Sequence, residues 1–230
     1  MTLESNRKSL PEFSAVILDL DGLVIDSEPT YQAAWKQTGY SMGYPIREDL
    51  LGNFAGKSYD LIEQLLKAEF GPGFPIHRFR EKSAECWRES VESSGIPVKP
   101  GLHALLAAFE QYTIPYCLAT NSEQRYAEKC LHYAGLGGSF PKRITRDQVN
   151  APKPAPEIFL AAAASLGVLP EKCIVLEDSE TGALAALAAN TVAILVADPG
   201  TVAHPVRVRA FAVLENLHQF RQLLDNRYGK

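Results

Sequence analysis

After a polar leader the chain turns abruptly apolar: Ala15-Val16-Ile17-Leu18 is an unbroken hydrophobic run that stops at Asp19. Polar residues do not alternate through it, so it predicts a strand buried on both faces, as in parallel sheets. Runs of the same kind recur at Pro115-Tyr116-Cys117-Leu118-Ala119, Cys173-Ile174-Val175-Leu176 and Val192-Ala193-Ile194-Leu195-Val196, with a weaker one at Ala210-Phe211-Ala212-Val213-Leu214. Between them lie helical patterns at His103 to Gln111, Gln124 to Ala134, Ala155 to Leu166 and Thr181 to Ala189. This alternation from about residue 98 onward predicts an α/β fold with a doubly wound parallel sheet.

The stretch from 29 to 95 follows a different rule. Thr30 to Thr38, Ser58 to Phe70 and Ile76 to Ser93 carry apolar residues at three-to-four spacing, broken by Gly71-Pro72-Gly73, and no segment there reads as a strand. Residues 29–95 are therefore expected to form an all-helical domain. It would be inserted into an α/β core made of residues 1–28 and 96–230. The linkers fall near Asp26 to Pro29 and in the Gly- and Pro-rich stretch from Gly95 to Gly101.

Composition narrows the function classes. A net charge of -4 provides neither the basic field that nucleic acid requires nor a cationic face for an anionic membrane. No apolar run approaches the roughly 20 residues of a membrane-spanning helix. The leader up to Phe13 has no apolar signal core. The four cysteines (Cys86, Cys117, Cys130, Cys173) are widely spaced, and buried free thiols fit them better than disulfides or zinc ligands. A cytoplasmic protein is expected.

Ligands of open parallel sheets bind beyond the carboxyl ends of the strands, so the residues just after each apolar run carry the candidate chemistry. They are Asp19 and Asp21, then Thr120 and Asn121, then Glu177 and Asp178, joined by Lys153 in the loop Asn150-Ala151-Pro152-Lys153-Pro154. Two carboxylates as close as Asp19 and Asp21 call for a hard divalent cation, and Gly22 lets the backbone turn sharply beside them. An acidic turn without chemistry explains that pair equally well. Thr120 stands before helix-start N–H groups that can bind an anion, yet Thr120, Asn121 or Ser122 can equally be a helix cap. Lys153 is a point charge suited to a phosphate oxygen, or a surface lysine. The conjunction decides: four features in order, three at strand ends of one sheet, supply complementary parts of one centre.

Together these stretches resemble the haloacid dehalogenase-like superfamily, in its β-phosphoglucomutase-like and phosphoglycolate-phosphatase-like branch. The resemblance is carried by Asp19-Leu20-Asp21-Gly22 with its continuation to Glu28, Ala119-Thr120-Asn121-Ser122, Lys153 to Phe159, and Leu176-Glu177-Asp178-Ser179 with its continuation to Gly182. It implies a Rossmann-like core with a helical cap and a Mg²⁺-dependent phosphatase of a small phosphorylated metabolite. That metabolite would be a sugar phosphate, sugar-acid phosphate or nucleoside monophosphate. In the implied division of labour Asp19 is the nucleophile and Asp21 the acid/base. Thr120, Asn121 and Lys153 hold the phosphoryl group. Asp19, the Asp21 carbonyl and Asp178 hold Mg²⁺, with Glu177 beside them, and Lys57 would touch substrate from the cap. The sequence departs from the mutase pattern at Tyr31 and Tyr59, where β-phosphoglucomutases carry a His and an Arg. The departure favours hydrolysis over phosphoryl return; a sugar-phosphate mutase is the alternative.

Overall fold

A computed structural model of the chain describes residues 9–54, 59–197 and 202–229. In chain order the strands are β1 (Ala15–Leu18), β2 (Tyr116–Ala119), β3 (Arg143–Ile144), β4 (Cys173–Glu177), β5 (Val192–Val196) and β6 (Ala212–Leu214). The helices are α1 (Glu28–Ser41), α2 (Glu48–Gly52), α3 (Tyr59–Phe70), α4 (Ile76–Ser94), α5 (Leu102–Gln111), α6 (Gln124–Tyr133), α7 (Glu157–Leu166), α8 (Glu180–Ala188), α9 (His204–Arg207) and α10 (Leu217–Tyr228).

The six strands form one all-parallel sheet in the order β3-β2-β1-β4-β5-β6. This is the doubly wound arrangement expected from the apolar runs. The order reverses at β1, which pairs with β2 on one side and β4 on the other. The unbroken apolarity of the runs now has its cause, since β1 is buried along its whole length. On one face Ala15, Ile17, Cys117, Ala119, Cys173 and Val175 pack against Ile158, Phe159 and Ala162 of α7 and Ala185 and Ala186 of α8. The alanines, Ala162 of α7 and Ala185 and Ala186 of α8, let these helices lie close to the pleated surface.

Contact divides the chain into two compact units, residues 1–25 with 98–230, and residues 26–97. Each unit is closed at the junction by its own backbone. Ile25 bridges Val98 in antiparallel fashion within the sheet-bearing unit, and the Asp26 N–H donates to the Pro97 carbonyl within the other, at 2.8 Å. Among its described residues the second unit holds helices α1 to α4 and no strand. Its core gathers Ile46, Leu50, Leu51, Phe54, Ile62, Leu66, Phe74 and Phe79. Tyr31 stacks on Trp87 with ring centroids 4.9 Å apart, and the Trp87 indole N–H donates to Thr30 Oγ1 at 2.9 Å. The short helices α2 and α9, the C-terminal helix α10 and the two-residue strand β3 are additions to the elements expected from sequence.

Candidate active site

The switch point of the sheet gathers the polar residues. Asp19 leaves the end of β1 and remains tied to β4, its N–H donating to the Leu176 carbonyl at 3.2 Å. The chain then turns tightly through Gly22, whose N–H donates to the Ile25 carbonyl. Gly22 adopts φ +85°, and a Cβ there would lie 2.0 Å from Asp178 Oδ2. Both the left-handed backbone and the space exclude any side chain, so Gly22 lets β1 and β4 bring their carboxylates together.

Lys153 is buried, and its three ammonium protons have three acceptors: Asp19 Oδ1 at 2.5 Å, Glu177 Oε1 at 2.6 Å and the Ala119 carbonyl at 3.0 Å. Phe159 lies beneath the ammonium, its ring centre 4.8 Å away. Glu177 is held from the other side, Oε2 accepting from the Ser179 hydroxyl at 2.9 Å and the Ser179 N–H at 3.3 Å. Its carboxylate fills the place where a side chain on α8 would stand: a Cβ on Gly182 would fall 1.9 Å from Glu177 Cδ.

One ammonium therefore faces three carboxylates. Burial raises the Asp19 carboxyl well above the ordinary carboxylate range; Lys153 opposes the rise, and Glu177 and Asp178 add to it. Asp178 is pushed up to about 7, by burial first and the neighbouring Glu177 charge second. For Lys153 burial disfavours the cation, but Asp19 and Glu177 outweigh it and the ammonium is held above its usual range. Carboxylate oxygens of Asp19, Glu177 and Asp178 all lie within 4.8 Å of one another. An all-oxygen set with too little positive charge, kept open by a glycine that admits no Cβ, fits a hard divalent cation such as Mg²⁺.

The other residues singled out from sequence arrive at the same edge with different tasks. Thr120 is buried, its N–H bonded to the Ile144 carbonyl at 3.0 Å, and its Oγ1 accepts from the Ser122 N–H at 3.0 Å. None of Thr120, Asn121 and Ser122 caps α6. Glu123 is the cap residue and makes no side-chain cap bond; the first helical N–H, of Gln124, is met instead by Asp147 Oδ1 at 3.0 Å. The Asn121 side chain is engaged with the lysine loop, Oδ1 accepting from the Lys153 N–H at 2.9 Å and Nδ2 donating to the Lys153 carbonyl at 3.4 Å. Asp21 stands apart from the three-carboxylate cluster. Its Oδ2 accepts from the Ser122 hydroxyl at 2.9 Å and its Oδ1 from the Tyr126 hydroxyl at 3.2 Å.

Lys57 lies outside the described residues. In the helical unit Tyr59 packs its ring under the Arg80 guanidinium, 4.6 Å away, and burial pushes its hydroxyl up to about 12. Sequence reasoning did not single out Ser122 or Tyr126 as partners of Asp21, nor the packing of Gly182 on Glu177. Ser122 and Gly182 sit within the motif stretches and could have been flagged by spacing. Tyr126, on a helix face, carries no motif signal.

A doubly wound parallel sheet with a buried lysine among carboxylates at its switch point defines a Rossmann-like catalytic core with an acidic, cation-suited centre. The chain belongs to the haloacid dehalogenase-like hydrolase family, whose model matches residues 13–190; it lies on the β-phosphoglucomutase-like branch and is a phosphatase-type enzyme. It is 32% identical over 180 residues to a phosphorylated carbohydrates phosphatase of Thermotoga maritima, covering 76% of this chain and 81% of that protein. It is 31% identical over 182 residues to a fructose-1-phosphate phosphatase of Escherichia coli, covering 77% of this chain and 93% of that protein. Its fold superposes on the crystal structure of a Thermotoga maritima protein assigned as a β-phosphoglucomutase with TM-score 0.82 and 28% identity, over 93% of this chain and 99% of that one.

Proposed function

We propose that this enzyme is a cytoplasmic, Mg²⁺-dependent phosphatase of a small phosphorylated metabolite, foremost a sugar phosphate. The observation that carries the reading is the cluster in which Lys153 contacts Asp19 and Glu177 while Asp19, Glu177 and Asp178 bring carboxylate oxygens within 4.8 Å of one another. The carbohydrate phosphatases among its relatives support the substrate class. Free cysteines, three of them buried, agree with a reducing compartment. Among the described residues no helix is long and apolar enough to cross a membrane.

In this reading an Asp19 carboxylate oxygen attacks phosphorus, forming an aspartyl-phosphate, and the bond to the ester oxygen breaks. Asp21 protonates that departing oxygen, then takes a proton from the water that attacks the phosphorus and frees Asp19. Lys153 stands at the nucleophile, where the charge of a phosphoryl group in transfer accumulates. Glu177 and Asn121 hold the lysine, one at its ammonium and the other at its backbone. The Thr120 hydroxyl and the Asn121 N–H after it would meet the phosphoryl oxygens. Asp19 and Asp178, with the Asp21 carbonyl, would hold Mg²⁺, which supplies the remaining positive charge. The helical unit, as a cap, would select the substrate.

Asp19→Asn is the decisive variant. Loss of Mg²⁺-dependent phosphate release from p-nitrophenyl phosphate is the expected result, and parent-like turnover by the variant would refute the assignment. A sugar-phosphate mutase is the second reading, favoured by the likeness to the Thermotoga maritima structure. Tyr31 and Tyr59 stand against it, because neither offers the fixed charge that holds the second phosphate of a bisphosphate. Dependence on a sugar bisphosphate activator, with conversion of sugar 1-phosphate to 6-phosphate, would reveal the mutase.

A further inference from the structure

Asp21 opens the turn that runs from Gly22 to Val24 and has two side-chain torsions of its own, yet a proton carrier works only from one place. Both of its carboxylate oxygens are engaged by hydroxyls from the neighbouring strand-to-helix connection. Ser122 lies two residues before α6 and Tyr126 is the third residue of that helix. The carrier on the β1 edge is thus gripped by a clamp built on the β2 edge.

On the reading of Asp21 as the acid/base, we propose that Tyr126 and Ser122 are positioning residues that hold Asp21 toward the departing oxygen of the substrate. They exchange no proton in the step. The Asp21 proton passes to the ester oxygen, which keeps the electron pair of the breaking P–O bond, while the new bond forms from Asp19 to phosphorus. A hydroxyl suits this duty, because it donates to one lone pair of a carboxylate oxygen and leaves another lone pair for the proton that goes to the ester oxygen. A lysine or arginine in the same place would add a charge that holds Asp21 ionised.

The test exploits leaving-group basicity. Phenyl phosphate and p-nitrophenyl phosphate are nearly the same shape. Phenolate needs a proton to depart; p-nitrophenolate is a stable anion at neutral pH and hardly does. Because kcat/KM reports only events up to the first irreversible step, the later hydrolysis of the aspartyl-phosphate does not enter. Tyr126→Phe is expected to lower kcat/KM for phenyl phosphate about tenfold, equivalent to about 1.4 kcal/mol of transition-state stabilisation. Its effect on p-nitrophenyl phosphate should stay below about threefold, since little acid assistance is lost there. Ser122→Ala should show the same split and Ser122→Thr, which keeps the hydroxyl, should reverse it. The Ser122 pair also keeps the question decidable if the tyrosine variant folds poorly. Equal losses on both esters, or no loss on either, would overturn the clamp. Asp21→Asn separates the two levels of inference. If that variant hydrolyses phenyl phosphate like the parent, the acid/base assignment has failed. If Asp21→Asn shows the split and the Tyr126 and Ser122 variants do not, only the clamp has failed.

Discussion

Replacing Gly182 by alanine sets two physical expectations against each other. Gly182 is the third residue of α8, at ordinary helical geometry, and the helix around it is rich in alanine. Helix propensity alone favours Ala over Gly by about 0.5–1 kcal/mol. The structure gives the opposite sign. A Cβ at this position would stand 1.9 Å from both Cδ and Oε1 of Glu177. Glu177 cannot simply swing aside, for one oxygen is bonded to Lys153 at 2.6 Å and the other to Ser179 at 2.9 Å. Overpacking a core site costs about 1–3 kcal/mol, and weakening one charge-assisted hydrogen bond adds about 1.5–3 kcal/mol. Less the propensity gain, Gly182→Ala should lose about 2–5 kcal/mol of stability. For a chain of this size that lowers Tm by roughly 4–20 °C. Lys153 shares the displaced carboxylate with Asp19, so kcat should also fall, by about tenfold or more. Urea denaturation with Mg²⁺ present, run beside p-nitrophenyl phosphate turnover, measures both effects. A variant at least as stable as the parent with unchanged kcat would refute the claim that this glycine exists to seat Glu177.

Asn121→Ala should lower kcat about tenfold with little change in KM, because it frees the lysine loop without touching substrate; an unchanged kcat would show that the lysine loop keeps its place without the Asn121 side chain. In chelator-treated protein Asp178, raised to about 7 when folded against 3.8 as a free side chain, binds more protons in the native state between those values. Stability should then fall as pH rises from about 4 to about 7, with Mg²⁺ restoring it at higher pH. Urea titrations from pH 5 to pH 8 with and without the metal check the slope, and a rise with pH in the metal-free protein would contradict it. A chain joining Ile25 directly to Val98 through a short Gly-Ser turn should keep the sheet-bearing unit folded, since that pair already closes the junction. Far-UV circular dichroism and a cooperative melt test it.

The strands that carry the site were legible because burial on both faces writes itself as an unbroken apolar run. Ala15-Val16-Ile17-Leu18 and Cys173-Ile174-Val175-Leu176 each end on the carboxylates they deliver. β3 was not legible. Arg143 and Ile144 are only two residues at a sheet edge, too few for any period, yet the Ile144 carbonyl fixes the Thr120 N–H. Helix α2 is a single short turn and α10 follows the last strand, so neither announced itself through alternation with a following strand. At the site, sequence could name Lys153 and Glu177 but not show that they touch, because 24 residues separate them along the chain. Asn121 was grouped with phosphate binding from its place after Thr120. Only the pairing of its amide with the backbone of residue 153 shows it bracing the lysine.

The junction at Ile25 and Val98 has an evolutionary consequence. A chain that leaves the sheet and returns to the neighbouring backbone position makes the intervening segment a cassette. Its ends are held by the Ile25–Val98 bridge and by the Asp26-to-Pro97 hydrogen bond, so the catalytic edge does not register how long the segment is or how it folds. Doubling the length of such an excursion adds only about 0.6 kcal/mol of closure entropy even when its ends are free. The helical segment can therefore be lengthened or remodelled while the register of β1 with β2 and β4 stays untouched. The sheet that carries the catalytic carboxylates and the helical segment between Ile25 and Val98 lie on separable stretches of one gene.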